Sequence, residues 1–125
     1  MLFRSGRLTL SCRPVSLKRA LRNLIENAVV HGERARVRLE DRGDVVAVII
    51  EDDGPGLRPE AMEQVFEPFF RLEGSRSRES GGIGLGLAIA RSIIRGHGGE
   101  ITLANRDQGG LEVTASLPKD PTAGA

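Results

Sequence analysis

Three polar side chains, Asn23, Asn27 and His31, recur every fourth position in an otherwise apolar stretch. On a helix that spacing sets them in one line beside the apolar stripe. Asparagine is a mediocre helix former, so two of them at the edge of a core ask for a role. Its amide oxygen is a hard, neutral ligand of the kind Mg²⁺ accepts alongside waters and phosphate oxygens. The same amides could equally face solvent or bond a loop. A second constellation, Asp52-Asp53-Gly54-Pro55-Gly56, comes just after the apolar run Val45 to Ile50. A carboxylate at a strand end can accept a hydrogen bond from an amino group, and glycines let a ligand approach the backbone. An ordinary acidic turn has the same composition. A third, Gly81-Gly82-Ile83-Gly84-Leu85-Gly86, opens an apolar-periodic stretch. Backbone N–H groups exposed at a helix start favour anions, which makes a phosphate cradle. It is not a P-loop, since Gly86 is followed by Leu-Ala where Lys-Ser/Thr is needed, and it does not directly follow a strand as a dinucleotide fingerprint would.

Three of the four phenylalanines, Phe66, Phe69 and Phe70, lie in one short Pro-containing segment. They precede a stretch from Arg71 to Gly82 that holds almost nothing apolar and reads as a mobile loop. The aromatics could anchor that loop over a ligand, or simply tuck into the core. Arg71, Arg76 and Arg78 could meet phosphates or form a solvated run. His97 has no carboxylate or nucleophile at a suggestive spacing and reads as part of a helix C-terminus. Cys12 reads as a small buried residue.

The elements that must position these groups follow from periodicity. Leu8 to Ser11 alternates as a short strand. Pro14 to His31 carries Leu17, Ala20, Leu21, Leu24, Ile25, Ala28 and Val29 on one face of a helix that Gly32 closes. Ala35 to Glu40 alternates, Asp41 to Asp44 turns, and Val45 to Ile50 reads as a strand covered on both faces, completing a hairpin. Pro59 to Phe66 suits a short helix, and Leu85 to Arg95 a longer one ending at Gly96 or Gly98. Glu100 to Asn105 and Leu111 to Leu117 form a second hairpin. The order β, α, β, β, α, loop, α, β, β predicts an α+β fold. It is a two-layer α/β sandwich whose mixed, mostly antiparallel sheet carries its helices on one face.

At 125 residues the chain suits one domain, and residues 1–118 are assigned to it, with 119–125 as a flexible tail. Lys plus Arg number 18 against 17 Asp plus Glu, a net charge of +1 that makes no electrostatic case for nucleic acid or an acidic membrane. One cysteine excludes an internal disulfide, and two distant histidines argue against a zinc site. No apolar run approaches the roughly 18 residues needed to span a bilayer, and the N-terminus lacks a signal-peptide pattern. A cytoplasmic location is expected.

Taken together and in order, the four stretches resemble the N, G1, F and G2 boxes of the histidine-kinase ATP-binding domain. These are Asn23 to Ala28, Asp52 to Gly56, Phe66 to Phe70 and Gly82 to Leu87. That domain has the Bergerat-type ATP-binding fold, shared with DNA gyrase, the ninety-kilodalton heat-shock chaperone and the mismatch-repair ATPase. The resemblance covers residues 8–118. It implies ATP and Mg²⁺ as cofactors, with Asp52 on the adenine amino group and Gly54 and Gly56 shaping the adenine pocket. Asn27 would ligate the metal, with Asn23 and His31 beside it. Gly82, Gly84 and Gly86, with Leu85 and Leu87 between and after them, would bring backbone N–H groups to the phosphates. Residues 71–83 would be a lid pinned by Phe69 and Phe70, with Arg71 at the phosphates.

The resemblance also implies partners: a histidine-bearing dimerisation domain of the same kinase and a response regulator. The fragment itself, expected to be monomeric, would be the cytoplasmic part of a membrane-bound kinase, without nucleic-acid or direct membrane contact. Neither His31 nor His97 is followed by an acidic residue, so the phospho-accepting and sensor domains are expected to be absent from these 125 residues. No catalytic residue of the transfer is therefore assigned to this chain, which should bind ATP without phosphorylating itself. Two positions depart from the pattern. Val30 stands where the family usually has a basic residue, and Asp53 where it often has Asn. The related ATPases resemble one another in a Glu four residues before the metal-binding Asn, acting as a general base. Here Asn23 occupies that position, and an amide cannot take a proton. This favours a kinase whose nucleophile and base arrive on another domain over a self-sufficient ATPase. An ATP-binding module or pseudokinase without transfer is the alternative, and a small α/β domain that binds no nucleotide is a third reading.

Overall fold

A computed structural model describes residues 10–68 and 86–120. Helix α1 spans Pro14–Gly32, followed by strands β1 (Ala35–Asp41) and β2 (Val45–Asp52). Next come a short helix α2 (Ala61–Gln64), helix α3 (Gly86–Gly96) and strands β3 (Glu100–Asn105) and β4 (Leu111–Pro118). The expected first strand is not seen over its described part: residues 10–13 carry no regular structure, although Ser11 N–H donates to Lys119 C=O at 2.7 Å. The short helix occupies only the middle of the span expected for it, with turns on either side.

The sheet order is β1-β2-β4-β3. Every described pairing is antiparallel, two hairpins being joined through β2 and β4. Alternation sorts the side chains. Val48 and Ile50 of β2, Ile101 of β3, and Val113, Ala115 and Leu117 of β4 enter one core with Leu17, Ala20, Leu24 and Ala28 of α1 and Ala90 and Ile94 of α3. Both long helices therefore lie on one face. β2 is nonetheless buried from Val46 through Ile50. Its outward residue Ile49 sits opposite Arg38 of β1, whose guanidinium reaches Glu51 at 3.1 Å and Glu112 of β4 at 3.9 Å. The aliphatic stem of Arg38 thus serves as cover on a face that no helix among the described residues overlies. Val37 shares the core face with Leu39 but is 47 % exposed, because β1 is an edge strand.

The two helix ends away from the site are fastened together. Pro14 opens α1, where its missing N–H costs nothing, and no side chain caps the helix. Instead the preceding Arg13 N–H donates to His97 Nε2 at 3.0 Å, while His97 Nδ1 faces Ile93 C=O at 2.9 Å. His97 is 3 % exposed and serves as a tie held at both ring nitrogens. Cys12 is half-buried at the edge of the core, not enclosed in it.

Candidate functional site

Strand parity aims Asp52 at the helix layer, on the same face as Val48 and Ile50, at the end of β2. It is 5 % exposed. Its Oδ1 accepts two backbone hydrogen bonds, from Gly54 N–H at 2.9 Å and Leu111 N–H at 3.1 Å. Among the described residues no donor meets Oδ2. A buried carboxylate with one oxygen committed and the other uncommitted is a preformed acceptor for an N–H group.

Three glycines make room for it. A Cβ on Gly32, at the end of α1, would overlap the Asp52 side chain, and one on Gly110 would overlap the Asp52 carbonyl oxygen. A Cβ on Gly54 would lie 2.6 Å from the His31 carbonyl oxygen. Gly110 also has φ +94°, a region that favours glycine. The chain leaves α1 through Glu33 at φ 71°, with Arg34 N–H and Asp53 N–H both donating to Gly32 C=O at 2.8 and 3.1 Å. Gly56, at φ +78°, packs against Asn105, where a Cβ would overlap Oδ1. Sequence reasoning had assigned Gly32 only to closing the helix and missed Gly110. The Gly109-Gly110 pair in the second hairpin was the available signal.

The line of polar groups on α1 runs along the flank that faces α3. Asn23 Nδ2 donates to Gly86 C=O at 3.3 Å, so the first helix and the start of the last one meet there. Asn27, one turn further on, is half-buried, and its amide has no protein partner among the described residues. His31 is also half-buried. Burial holds its imidazole below the ordinary value, with the Asp52 charge opposing that shift. A Cβ on Gly86 would meet nothing within 4 Å, so packing among the described residues does not demand a glycine there. Leu87 packs against the core, which leaves its backbone as the group it can offer a ligand. Val30 is 44 % exposed. Phe66 lies in the core, under the Arg91 guanidinium at 4.1 Å from the ring centroid. Phe69, Phe70, Arg71, Gly82, Gly84, Leu85 and the proposed lid lie outside the described residues.

Asp53 is the other half of the acidic pair and turns outward. Arg36 grips it at 2.7 and 3.1 Å, Arg106 at 3.2 Å and Arg34 at 3.6 Å. The hydrogen bond from Arg36 is the main reason its carboxyl is held below the usual carboxylate range. Arg106 and Asn105, both at the tip of the second hairpin, were not singled out from the sequence.

An open antiparallel sheet covered by helices on one face, with a buried carboxylate at a strand end and half-buried amides along the first helix, is the architecture of the Bergerat fold. Residues 12–121 match the family described as histidine kinase-, DNA gyrase B- and HSP90-like ATPase, and the chain belongs to it. It is 50 % identical over 107 residues to the sensor histidine kinase GtrS of Pseudomonas aeruginosa, covering 86 % of this chain and 22 % of that protein. To the sensor histidine kinase CpxA of Escherichia coli it is 38 % identical over 117 residues, covering 93 % and 26 %. Among solved structures it is similar to the catalytic domain of histidine kinase ThkA, with a TM-score of 0.75, 33 % identity and coverage of 90 % of this chain and 72 % of that one. Full-length ShkA in complex with AMPPNP matches with a TM-score of 0.65 and 30 % identity, over 82 % and 21 %. The chain thus spans about a quarter of the length of these curated relatives, and the stretch it shares with them is the ATPase domain of the matched family.

Proposed function

We propose that this domain binds Mg-ATP and donates the γ-phosphate to a histidine on a separate dimerisation domain of the same kinase, for onward passage to a response regulator. The observation that carries the reading is Asp52, buried at 5 % exposure with Oδ1 held by two N–H groups and Oδ2 left to accept the adenine amino group. Asn27 is the residue suited to Mg²⁺: a neutral oxygen with no protein partner among the described residues, on the flank that faces the start of α3. One protein oxygen fits a metal that keeps its waters and arrives with phosphates, and bound there it would neutralise phosphate charge. Among the described residues no three of His, Cys, Asp and Glu come together as an alternative cage.

Asn23 supports transfer over hydrolysis. Its amide donates to Gly86 C=O and has no proton-accepting nitrogen, so no general base stands one turn before Asn27. A second reading, an ATP-binding module or pseudokinase without transfer, is favoured by Val30, which brings no charge to the phosphates. No helix among the described residues is long and apolar enough to cross a membrane, which suits the cytoplasmic portion of a membrane-bound kinase. The chain has no Trp or Tyr, so the test is calorimetric titration with ATP with and without Mg²⁺. Saturable binding strengthened by Mg²⁺, with the strengthening lost in Asn27→Ala, is expected. No binding up to millimolar ATP would overturn the reading. Failure to phosphorylate its own acceptor domain, supplied separately, would leave the pseudokinase.

A further inference from the structure

We infer that Asn105 and Arg106, adjacent at the tip of the β3–β4 hairpin, are positioning residues for base recognition: they hold the Asp52–Leu57 loop so that Asp52 Oδ2 discriminates a 6-amino from a 6-oxo purine. The inference rests on the adenine reading of Asp52. Asn105 copies a backbone pairing with its side chain, Oδ1 accepting from Leu57 N–H at 2.8 Å and Nδ2 donating to Leu57 C=O at 2.7 Å. Arg106 grips the other end of the loop. Its guanidinium donates to Asp52 C=O at 2.9 Å and Asp53 Oδ1 at 3.2 Å, and to Gly109 C=O of its own turn at 2.9 Å. The Gln108 side chain takes a further bond at 3.1 Å, and the Arg106 side chain is only 16 % exposed. Arg106 N–H donates to Gly110 C=O at 2.9 Å, closing the turn whose Gly110 lies against the Asp52 carbonyl. One rigid tip therefore fixes the peptide of the recognising residue and the far end of its loop, and supplies the Leu111 N–H that orients the carboxylate.

Discrimination by an acceptor depends on where it points, because an unmatched acceptor must be held against a 6-oxo group for repulsion to register. A loosened loop lets Asp52 turn away, so the preference falls along with the affinity. The experiment is calorimetry of the full chain with Mg-ATP and with Mg-inosine triphosphate, which carries a carbonyl in place of the amino group. Wild type, Arg106→Ala, Arg106→Lys and Asn105→Ala are compared, each with its melting temperature. Wild type should prefer ATP, and Arg106→Ala should bind ATP about tenfold more weakly with little change for the inosine nucleotide. Arg106→Lys keeps a charge near Asp53 but loses the Nη2 bond to Gln108 and the planar guanidinium that aims Nη1 at the Asp52 and Gly109 carbonyls, so its preference should fall as well. That variant decides the matter if Arg106→Ala does not fold. A purely structural role would lower the melting temperature and leave the ratio of the two affinities unchanged, and that result overturns the inference. Wild type that binds no ATP would remove the adenine reading and this inference with it.

Discussion

Replacing Asp52 by Asn should invert the chemistry of the acceptor without disturbing the fold around it. In the wild type Oδ1 takes N–H bonds from Gly54 at 2.9 Å and Leu111 at 3.1 Å. Both donors are fixed by backbone, and Leu111 is itself buried. In Asp52→Asn the amide oxygen must therefore stay where Oδ1 is, since an NH₂ there would face two N–H groups. The amide nitrogen is then forced into the position of Oδ2 and presents hydrogens where an acceptor was. An adenine amino group meets a donor, and a 6-oxo purine meets its complement. Loss of a charged hydrogen bond is worth about 1.5–3 kcal/mol, or about 10- to 150-fold in ATP affinity. The inosine nucleotide should lose little or gain. Thermal stability should hardly move, because both N–H bonds survive. Asp52→Ala, by contrast, leaves two donors unpaired at about 1–3 kcal/mol each where they stay buried, and should melt lower. Calorimetric titration of the three proteins with both nucleotides, beside their melting curves, gives the comparison. Equal ATP affinity in wild type and Asp52→Asn would refute the assignment of Oδ2. A lower melting temperature in Asp52→Asn than in Asp52→Ala would refute the account of Oδ1.

Gly32→Ala places a methyl group into the Asp52 side chain, and overpacking of this kind costs about 1–3 kcal/mol, partly offset by alanine's better helix propensity. The variant should melt lower and lose ATP affinity, and an unchanged melting curve in urea or heat would show that the two segments are not in contact. Glu33→Gly should stabilise the protein by up to about 1 kcal/mol, because φ 71° strains any residue with a Cβ; a lower midpoint in chemical denaturation contradicts this. His31 sets a pH dependence. The fold holds its imidazole below the ordinary 6.5, so below that pH the unfolded chain binds the proton more readily. Stability should therefore fall as pH drops through 6.5, and His31→Gln should flatten that slope in denaturant melts taken between pH 7.5 and 5.5; an equal slope in the variant would mean another group titrates.

Periodicity carried most of the fold. The strict alternation of β4 and the stripe on α1, except for Val29, which is exposed at its edge, appear in the structure as the packed faces they imply, since each is set by neighbours within one turn or one strand. The strand is buried from Val46 to Ile50, with Val45 half-buried, but for a different reason than expected: on the outer face Ile49 lies opposite Arg38, a surface charge whose stem no hydropathy pattern credits. Of the candidate residues, Asp52, Asn23 and Gly86 stand out in the sequence because they belong to compact motifs, and the structure brings Asn23 and Gly86 into contact.

What stayed illegible were the contacts between motifs. Leu111 reaches Asp52 across 59 positions, Arg106 across 54, and Asn105 reaches Leu57 across 48. Nothing local marks those residues, since an Asn-Arg pair beginning a polar turn is unremarkable by composition. Asp53 shows the consequence. Read alone, it is a mild departure that adds a negative charge beside the one meant for the ligand. In the fold that charge is met by Arg36 and Arg34 from one side and by Arg106 from the other. The acid therefore does not compete with Asp52 but becomes the point through which β1 and the second hairpin brace the same loop. An Asn at this position would keep its hydrogen bonds but lose the charge that draws three guanidinium groups together. The substitution is thus coupled to three distant arginines, and its meaning lies in the pairing and not in either partner's type.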